Sequence, residues 1–288
     1  MEISTQVVPD SRSLMGPKVC LMGLGGTGKT YAIGTLVDWA TANGFEVAVL
    51  FTENGLETLL GYFRDKGTEP PPNLFWHQQT TKPISLKNLM SAADLVGKLS
   101  YEALSKSTDM NRGGENNAFF KILQSCSNFK DDRTGKELGP IDAWPATRIF
   151  VMDSLTETSN AAFKMQVGAR PMASPGDYGI AQSNLMNFLR LCTQGMDCPF
   201  VMTAHVDRET DPVTQSTKIM IKAIGKALAS EIPTLFSDVI YTVREADKFY
   251  WDTVAYGVDT KTRSLGYRSK INPDFAQIFD VWKKRSGA

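Results

Sequence analysis

Gly23-Leu24-Gly25-Gly26-Thr27-Gly28-Lys29-Thr30 decides the reading of this chain, because each residue type in it meets a requirement of phosphate binding. The spacing is G-x-x-x-x-G-K-[ST]. Its glycines let the backbone wrap closely around phosphate oxygens, and the N–H groups at the next helix start point at the anion. Lys29 is placed to neutralise β- and γ-phosphates, and the Thr30 hydroxyl to complete the shell of a Mg²⁺ ion. The flanks agree with this. Val19-Cys20-Leu21-Met22 reads as a buried parallel strand, and from Tyr31 to Ala40 apolar residues recur at helical spacing. Residues Gly23 to Tyr31, with Leu24 and Thr27 among them, are therefore the expected nucleotide-binding segment, with a nucleoside triphosphate and Mg²⁺ as its ligands.

Outward from the loop, the first helix is expected to end at Asn43-Gly44, a helix-stopping pair. Glu46–Thr52 reads as a second buried strand ending at Glu53-Asn54-Gly55, followed by a helix over Leu56–Lys66 and a short strand at Leu74–His77. From Lys82 to Pro145 the pattern changes. Helical stretches at about 86–99 and 117–128 flank a polar segment at 105–114, which reads as an insertion on the core. Arg148–Asp153 restores the strand pattern. A helix, a loop over 168–176 and a helix over about 177–193 follow, and then a buried strand at Pro199–His205. Strands are expected at Lys218–Lys222, Asp238–Arg244 and Phe249–Tyr256. Strands alternating with helices, then a run of strands, predict an α/β fold: a mainly parallel sheet flanked by helices, with a helical insertion and an antiparallel C-terminal edge. The expected organisation is a polar lead-in over 1–16 and one domain over 17–288.

Nucleotide hydrolysis needs a second acid for the metal shell, a group to activate water and a group that senses the γ-phosphate. In a parallel sheet these belong at the carboxyl ends of strands beside the phosphate loop. Asp153 ends an apolar strand and fits the metal role. Glu53 ends the strand after the loop helix and fits the base, with Glu157 as its competitor. His205, one of two histidines, ends another buried strand and fits the sensor; His77 reads as structural.

The charge balance excludes a global field. Lys plus Arg number 31 and Asp plus Glu number 31 in 288 residues, so any nucleic-acid contact has to come from a local patch or an oligomer. The four cysteines, at 20, 126, 192 and 198, have no metal spacing and suit a reducing cytoplasm. No apolar run reaches membrane length. No Arg-rich lid follows the Asp153 strand, which argues against a small-molecule kinase.

The order of these parts, phosphate loop, strand ending in Glu53, strand ending in Asp153-Ser154, strand ending in His205, resembles that of RecA-like ATPases. It is most similar to the short, core-only RecA-like ATPases of bacteriophages associated with single-strand annealing and recombination. Further resembling segments are Phe129–Gly135, Asp177-Tyr178-Gly179, Thr203–Arg208 and Ile224–Leu228. The resemblance implies a RecA-like ATPase domain with Lys29, Glu53 and His205 as catalytic residues and Thr30 and Asp153 at the metal. It implies DNA recombination or replication on single-stranded DNA, a homo-oligomer, and a location in host cytoplasm. His205 stands where RecA has a glutamine, which leaves the coupling of nucleotide to DNA open. Two loops would face DNA, one with Arg170 and one with Arg208 and Lys218. Lys222 and Lys226, or Arg263 and Arg268, would reach a neighbour's γ-phosphate. Residues 1–16 are too short and polar to repeat RecA's polymerising segment, so ring and filament both stay open. The competing function is a nucleotide-switched loader or remodeller of a helicase or single-strand-binding protein.

Overall fold

The computed structural model describes residues 15–79, 86–87, 90, 94, 117–168, 173–210 and 215–286. The phosphate-loop strand, β1 (Lys18–Gly23), is buried along its whole length. It leads into α1 (Lys29–Asn43), which Gly44 ends in the left-handed conformation at φ 74°. There follow β2 (Glu46–Phe51), α2 (Leu56–Asp65) and β3 (Leu74–Gln78). After α3 (Ala118–Ser127) come the short strands β4 (Phe129–Lys130) and β5 (Glu137–Gly139), and then β6 (Arg148–Asp153). Two helices, α4 (Leu155–Val167) and α5 (Pro175–Gln194), lead to β7 (Phe200–Ala204). The hairpin strands β8 (Val206–Thr210) and β9 (Thr217–Ile221) precede α6 (Lys226–Glu231). The described chain closes with β10 (Asp238–Glu245), β11 (Lys248–Asp252) and α7 (Ala276–Ser286).

The main sheet runs β11-β10-β1-β7-β6-β2-β3. Every pairing in it is parallel except β10 with β11. The architecture is thus the mainly parallel α/β sheet with an antiparallel edge that the alternation of elements predicts. Strand β7 stands between β1 and β6, so the strand that carries the loop and the strand that ends in Asp153 are not neighbours. Both faces of the sheet are covered. Cys20, Met22, Leu50 and Phe150 pack with α3, α4 and α5, while Val19, Leu21, Val49 and Val151 pack with α1, α2 and α7. That double burial is why the central strands read as continuous apolar runs rather than as alternating ones.

Three elements differ from expectation. The sequence reading extends the 82–145 insertion through residues that instead belong to the main core: Phe119, Ile122, Phe129, Ile141 and Trp144 are buried with Phe150. The predicted helix over 86–99 and the polar segment at 105–114 lie largely or wholly outside the described residues. The segment after His205, read as a loop, forms the antiparallel β8–β9 hairpin, with Arg208 paired to Ile219. The C-terminus, read as extended, ends in α7, whose Ile278, Phe279 and Trp282 are buried. Their spacing is helical, and that signal is readable from sequence. Trp39 of α1 ties this helix down by donating from Nε1 to Asp280 Oδ1 at 2.6 Å.

Candidate active site

The carboxyl ends of β1, β2, β6 and β7 meet at one edge, and the parallel register makes this so. Leu50 pairs with Met152, Phe51 with Asp153, and Met22 with Ala204. Glu53, Asp153 and His205, separated by some hundred and fifty residues in sequence, therefore come to the edge from which the phosphate loop springs. The loop turns into α1 through Gly28, whose φ of 81° suits glycine. Thr27 fixes its base, with Oγ1 hydrogen-bonded to Leu24 O at 2.8 Å and to Thr242 Oγ1 at 2.7 Å.

Lys29 is buried, and its Nζ donates to Gly23 O at 3.0 Å and Leu24 O at 2.7 Å. Burial lowers the pKa of its amine, while Asp153 and Glu53 pull it back up. The amine's hydrogen-bond partners are backbone carbonyls, and a phosphate oxygen is a stronger acceptor for a buried cation than either. Thr30 Oγ1 donates to Asp153 Oδ2 at 2.8 Å, and Thr203 Oγ1 donates to Asp153 Oδ1. Asp153 is fully buried, which pushes its carboxyl up from the usual range against the pull of the Thr203 hydrogen bond. The peptide that follows it, Asp153–Ser154, is cis.

These donors are hard oxygens, which suit Mg²⁺. Among the described residues no three His, Cys, Asp or Glu side chains converge as a metal cage.

A cleft of about 360 Å³ opens above this floor, lined by the loop from Gly26 to Tyr31 and by Glu53, Asn54, Thr58 and His205. Glu53 Oε2 lies 3.5 Å from His205 Nε2. The hydrogen bond from His205 holds the Glu53 carboxyl below its ordinary value, against a rise from burial. His205 is anchored through its backbone, with N donating to Thr156 Oγ1 at 3.0 Å and O accepting from Lys222 N at 2.8 Å. Glu157 is not among the residues lining the cleft; its Oε1 accepts from Asn160 Nδ2 at 3.1 Å.

Sequence reasoning missed a second cavity, about 330 Å³, that shares Gly28 and Tyr31 with the first. Phe249, Tyr250, Asn272 and Pro273 line it from the C-terminal edge. The Phe249 ring lies over the loop closely enough that a Cβ on Gly28 would come within 3.0 Å of it. No motif marks these residues; only the return of β10 and β11 to the β1 side of the sheet brings them there.

The basic candidates divide. Lys218 pairs with Asp259 at 3.0 Å, Lys222 with Asp207 at 3.8 Å, and Lys226 with Glu209. Arg208 is exposed on β8, and Arg268 donates to Gln277 Oε1 at 3.1 Å. Arg263 lines a different cavity, below the sheet. Arg170 lies outside the described residues. His77 accompanies Asp132 at 2.8 Å on the far edge of the sheet, away from the cleft.

No protein-family model matches the chain, and no curated protein does. Among solved structures the chain is similar to a prototypical ATPase from the type III secretion system of pathogenic bacteria, at 14% identity and a TM-score of 0.39. The match covers 80% of this chain and 53% of the other, so this chain spans about half of that protein's length. No helix among the described residues is long and apolar enough to cross a membrane.

Proposed function

We propose that this chain is a Mg²⁺-dependent ATPase of the RecA-like class. The observation that carries the reading is the shared strand-end cleft, lined by Lys29, Thr30, Glu53 and His205, with Asp153 buried beneath it and bonded to the Thr30 hydroxyl. Mg²⁺ bound with the nucleotide would neutralise charge on the β- and γ-phosphates, with Thr30 and Asp153 as its protein oxygens. The loop N–H groups and Lys29 bind and orient the triphosphate. Glu53, kept ionised by its histidine partner, accepts the proton of the attacking water. His205 bridges that carboxylate and the backbone leading into β8, so a contact that changes with the γ-phosphate would reach the hairpin. The aromatic cavity beyond Gly28 takes the base, with Phe249 or Tyr250 as a stacking surface.

The finer reading is an ATPase of phage recombination or replication that works as a homo-oligomer on single-stranded DNA, with Lys222 or Lys226 acting in trans. The second reading, a nucleotide-switched loader of a helicase or single-strand-binding protein, is favoured by one specific observation. Lys218, Lys222 and Lys226 each already face a carboxylate of this chain, which leaves Arg208 of β8 as the exposed cation there without a carboxylate partner among the described residues, little positive charge for a phosphate backbone. ATP hydrolysis measured with and without single-stranded DNA separates the two. Stimulation by DNA supports the first, and unchanged turnover with ATP-dependent capture of a protein partner supports the second. Absence of Mg²⁺-dependent ATP hydrolysis under every condition would overturn both.

A further inference from the structure

At the opposite end of β1 from the phosphate loop lies a cavity of about 410 Å³. Lys18 opens the strand there and Gly23 closes it at the loop, five residues on. At about 3.3 Å per residue the two sites are roughly 17 Å apart. Four cations line the lower cavity, Lys18, Lys261, Arg263 and Arg285, and no carboxylate does. In a chain whose charges balance overall, and whose Lys218, Lys222 and Lys226 are all paired, this is a local concentration of one sign.

The hydrogen bonds explain how that concentration is held without acids. Lys18 is buried and donates from Nζ to Met196 O at 2.8 Å and Cys198 O at 2.7 Å, which leaves one of its three donors. Lys261 Nζ donates to Thr234 O at 3.3 Å, and Arg285 Nη1 to Arg263 O at 3.0 Å. Among the described residues none of the four cations has an ion-pair partner within 4.0 Å.

The nearest acid by chain position, Asp238, is fully buried beneath the cavity. Its Oδ1 accepts from Thr262 Oγ1, Arg263 N and Ser264 N, and its Oδ2 from the Ser237 and Ser264 hydroxyls. Its lone pairs are spent on fixing the turn that presents Arg263. Asp197 acts on Lys18 only through space. Phe236 and Trp282 give the same cavity an apolar wall.

The geometry points to a second anion site, one that takes a phosphate group through Arg263, Arg285 and Lys261, separate from the nucleotide cleft. Arginine forks match phosphate oxygens in a way that no carbonyl contact here does, and the cavity has room for more than the phosphate alone. The phosphate can belong to a free phosphorylated molecule or to the backbone of a single strand. In the latter case it would give the protein a nucleic-acid contact that the paired Lys218, Lys222 and Lys226 do not offer.

The test is isothermal titration of inorganic pyrophosphate into full-length Lys29→Ala protein, in which the upper cleft no longer competes. The expected result is a salt-sensitive site that weakens about tenfold or more in Lys29→Ala/Arg263→Ala/Arg285→Ala and returns only in part when both arginines are lysine, which keeps the charge and loses the fork. Thermal melts of each variant check that it is folded, and Arg263→Gln alone, on the surface, gives a milder variant if the double one is not. Competition by a short oligothymidylate would assign the phosphate to a strand backbone; competition by mononucleotides alone would assign it to a free ligand. Either outcome supports the site. No pyrophosphate binding by Lys29→Ala protein, or an affinity unmoved by loss of both arginines, overturns it.

Discussion

Lys29 and Lys226 carry the same charge in opposite circumstances. Lys29 is only 6% exposed and rests on two carbonyl oxygens of its own loop, with no carboxylate in contact. The Lys226 side chain is 77% exposed and paired with Glu209. A buried cation whose direct partners are carbonyls, with Asp153 and Glu53 acting only through space, gains when an anion comes into contact with it. An exposed, paired cation is nearly neutral to stability and has to break its pair to serve anything else. By this measure Lys29 is prepared for an anion, and Lys226, at the start of α6, is not.

The largest expected effect is at the cleft. Lys29→Ala should lower ATP affinity by on the order of 10²-fold or more, since two charge-assisted contacts are lost at once, while leaving the far-UV spectrum unchanged. ATP affinity equal to wild type would remove the asymmetry between the two lysines. A packing change should come next. Gly34 of α1 lies so close to Tyr62 of α2 that a Cβ there would come within 2.2 Å of the ring. Gly34→Ala should therefore destabilise by about 1–3 kcal/mol through overpacking, read as a fall of several degrees in Tm.

The paired lysines beyond β9 should respond far less. Lys222→Ala and Lys226→Ala should each shift Tm by no more than about 1–2 °C, as exposed ion pairs do. A larger shift, or loss of turnover in a concentration-dependent manner, would show that these lysines act on a neighbouring subunit.

The smallest effect concerns Glu53 and pH. Its folded carboxyl lies below the ordinary value of 4.5, with His205 as the leading cause. The unfolded chain thus holds that proton more tightly than the folded one, so the stabilisation is present above pH 4.5 and is lost as pH falls through the lower folded value. The Tm gap between wild type and Glu53→Gln should accordingly close on acidification within that window. A gap that widens instead would mean the pair does not stabilise the carboxylate.

The cleft was legible because its parts are local or strand-terminal. The Gly23–Thr30 loop is contiguous, and Glu53, Asp153 and His205 each follow an apolar run whose end a parallel sheet aligns. Phe249 and Asn272 were not legible, because their approach to Gly28 depends on how β11 and the segment before α7 fold back over α1. The paired state of Lys218, Lys222 and Lys226 was hidden for a related reason. Their partners Asp259, Asp207 and Glu209 come within reach only once β8 and β9 form a hairpin and residue 258 bridges to it. The helix α7 could have been found, since Phe275, Ile278, Phe279 and Trp282 fall on one face; the run of strands before it drew the reading toward continued β-structure.

The central claim is that the Glu53 carboxylate, held by His205 at the mouth of the phosphate loop, activates water on a bound triphosphate. Single-turnover hydrolysis of radiolabelled ATP by Glu53→Gln, with ATP affinity measured on the same preparation, tests it most directly. The account predicts affinity within about threefold of wild type and a hydrolysis rate lowered by roughly 10² or more. A Glu53→Gln protein that hydrolyses ATP at the wild-type rate, with Glu157→Gln carrying the loss instead, would contradict it.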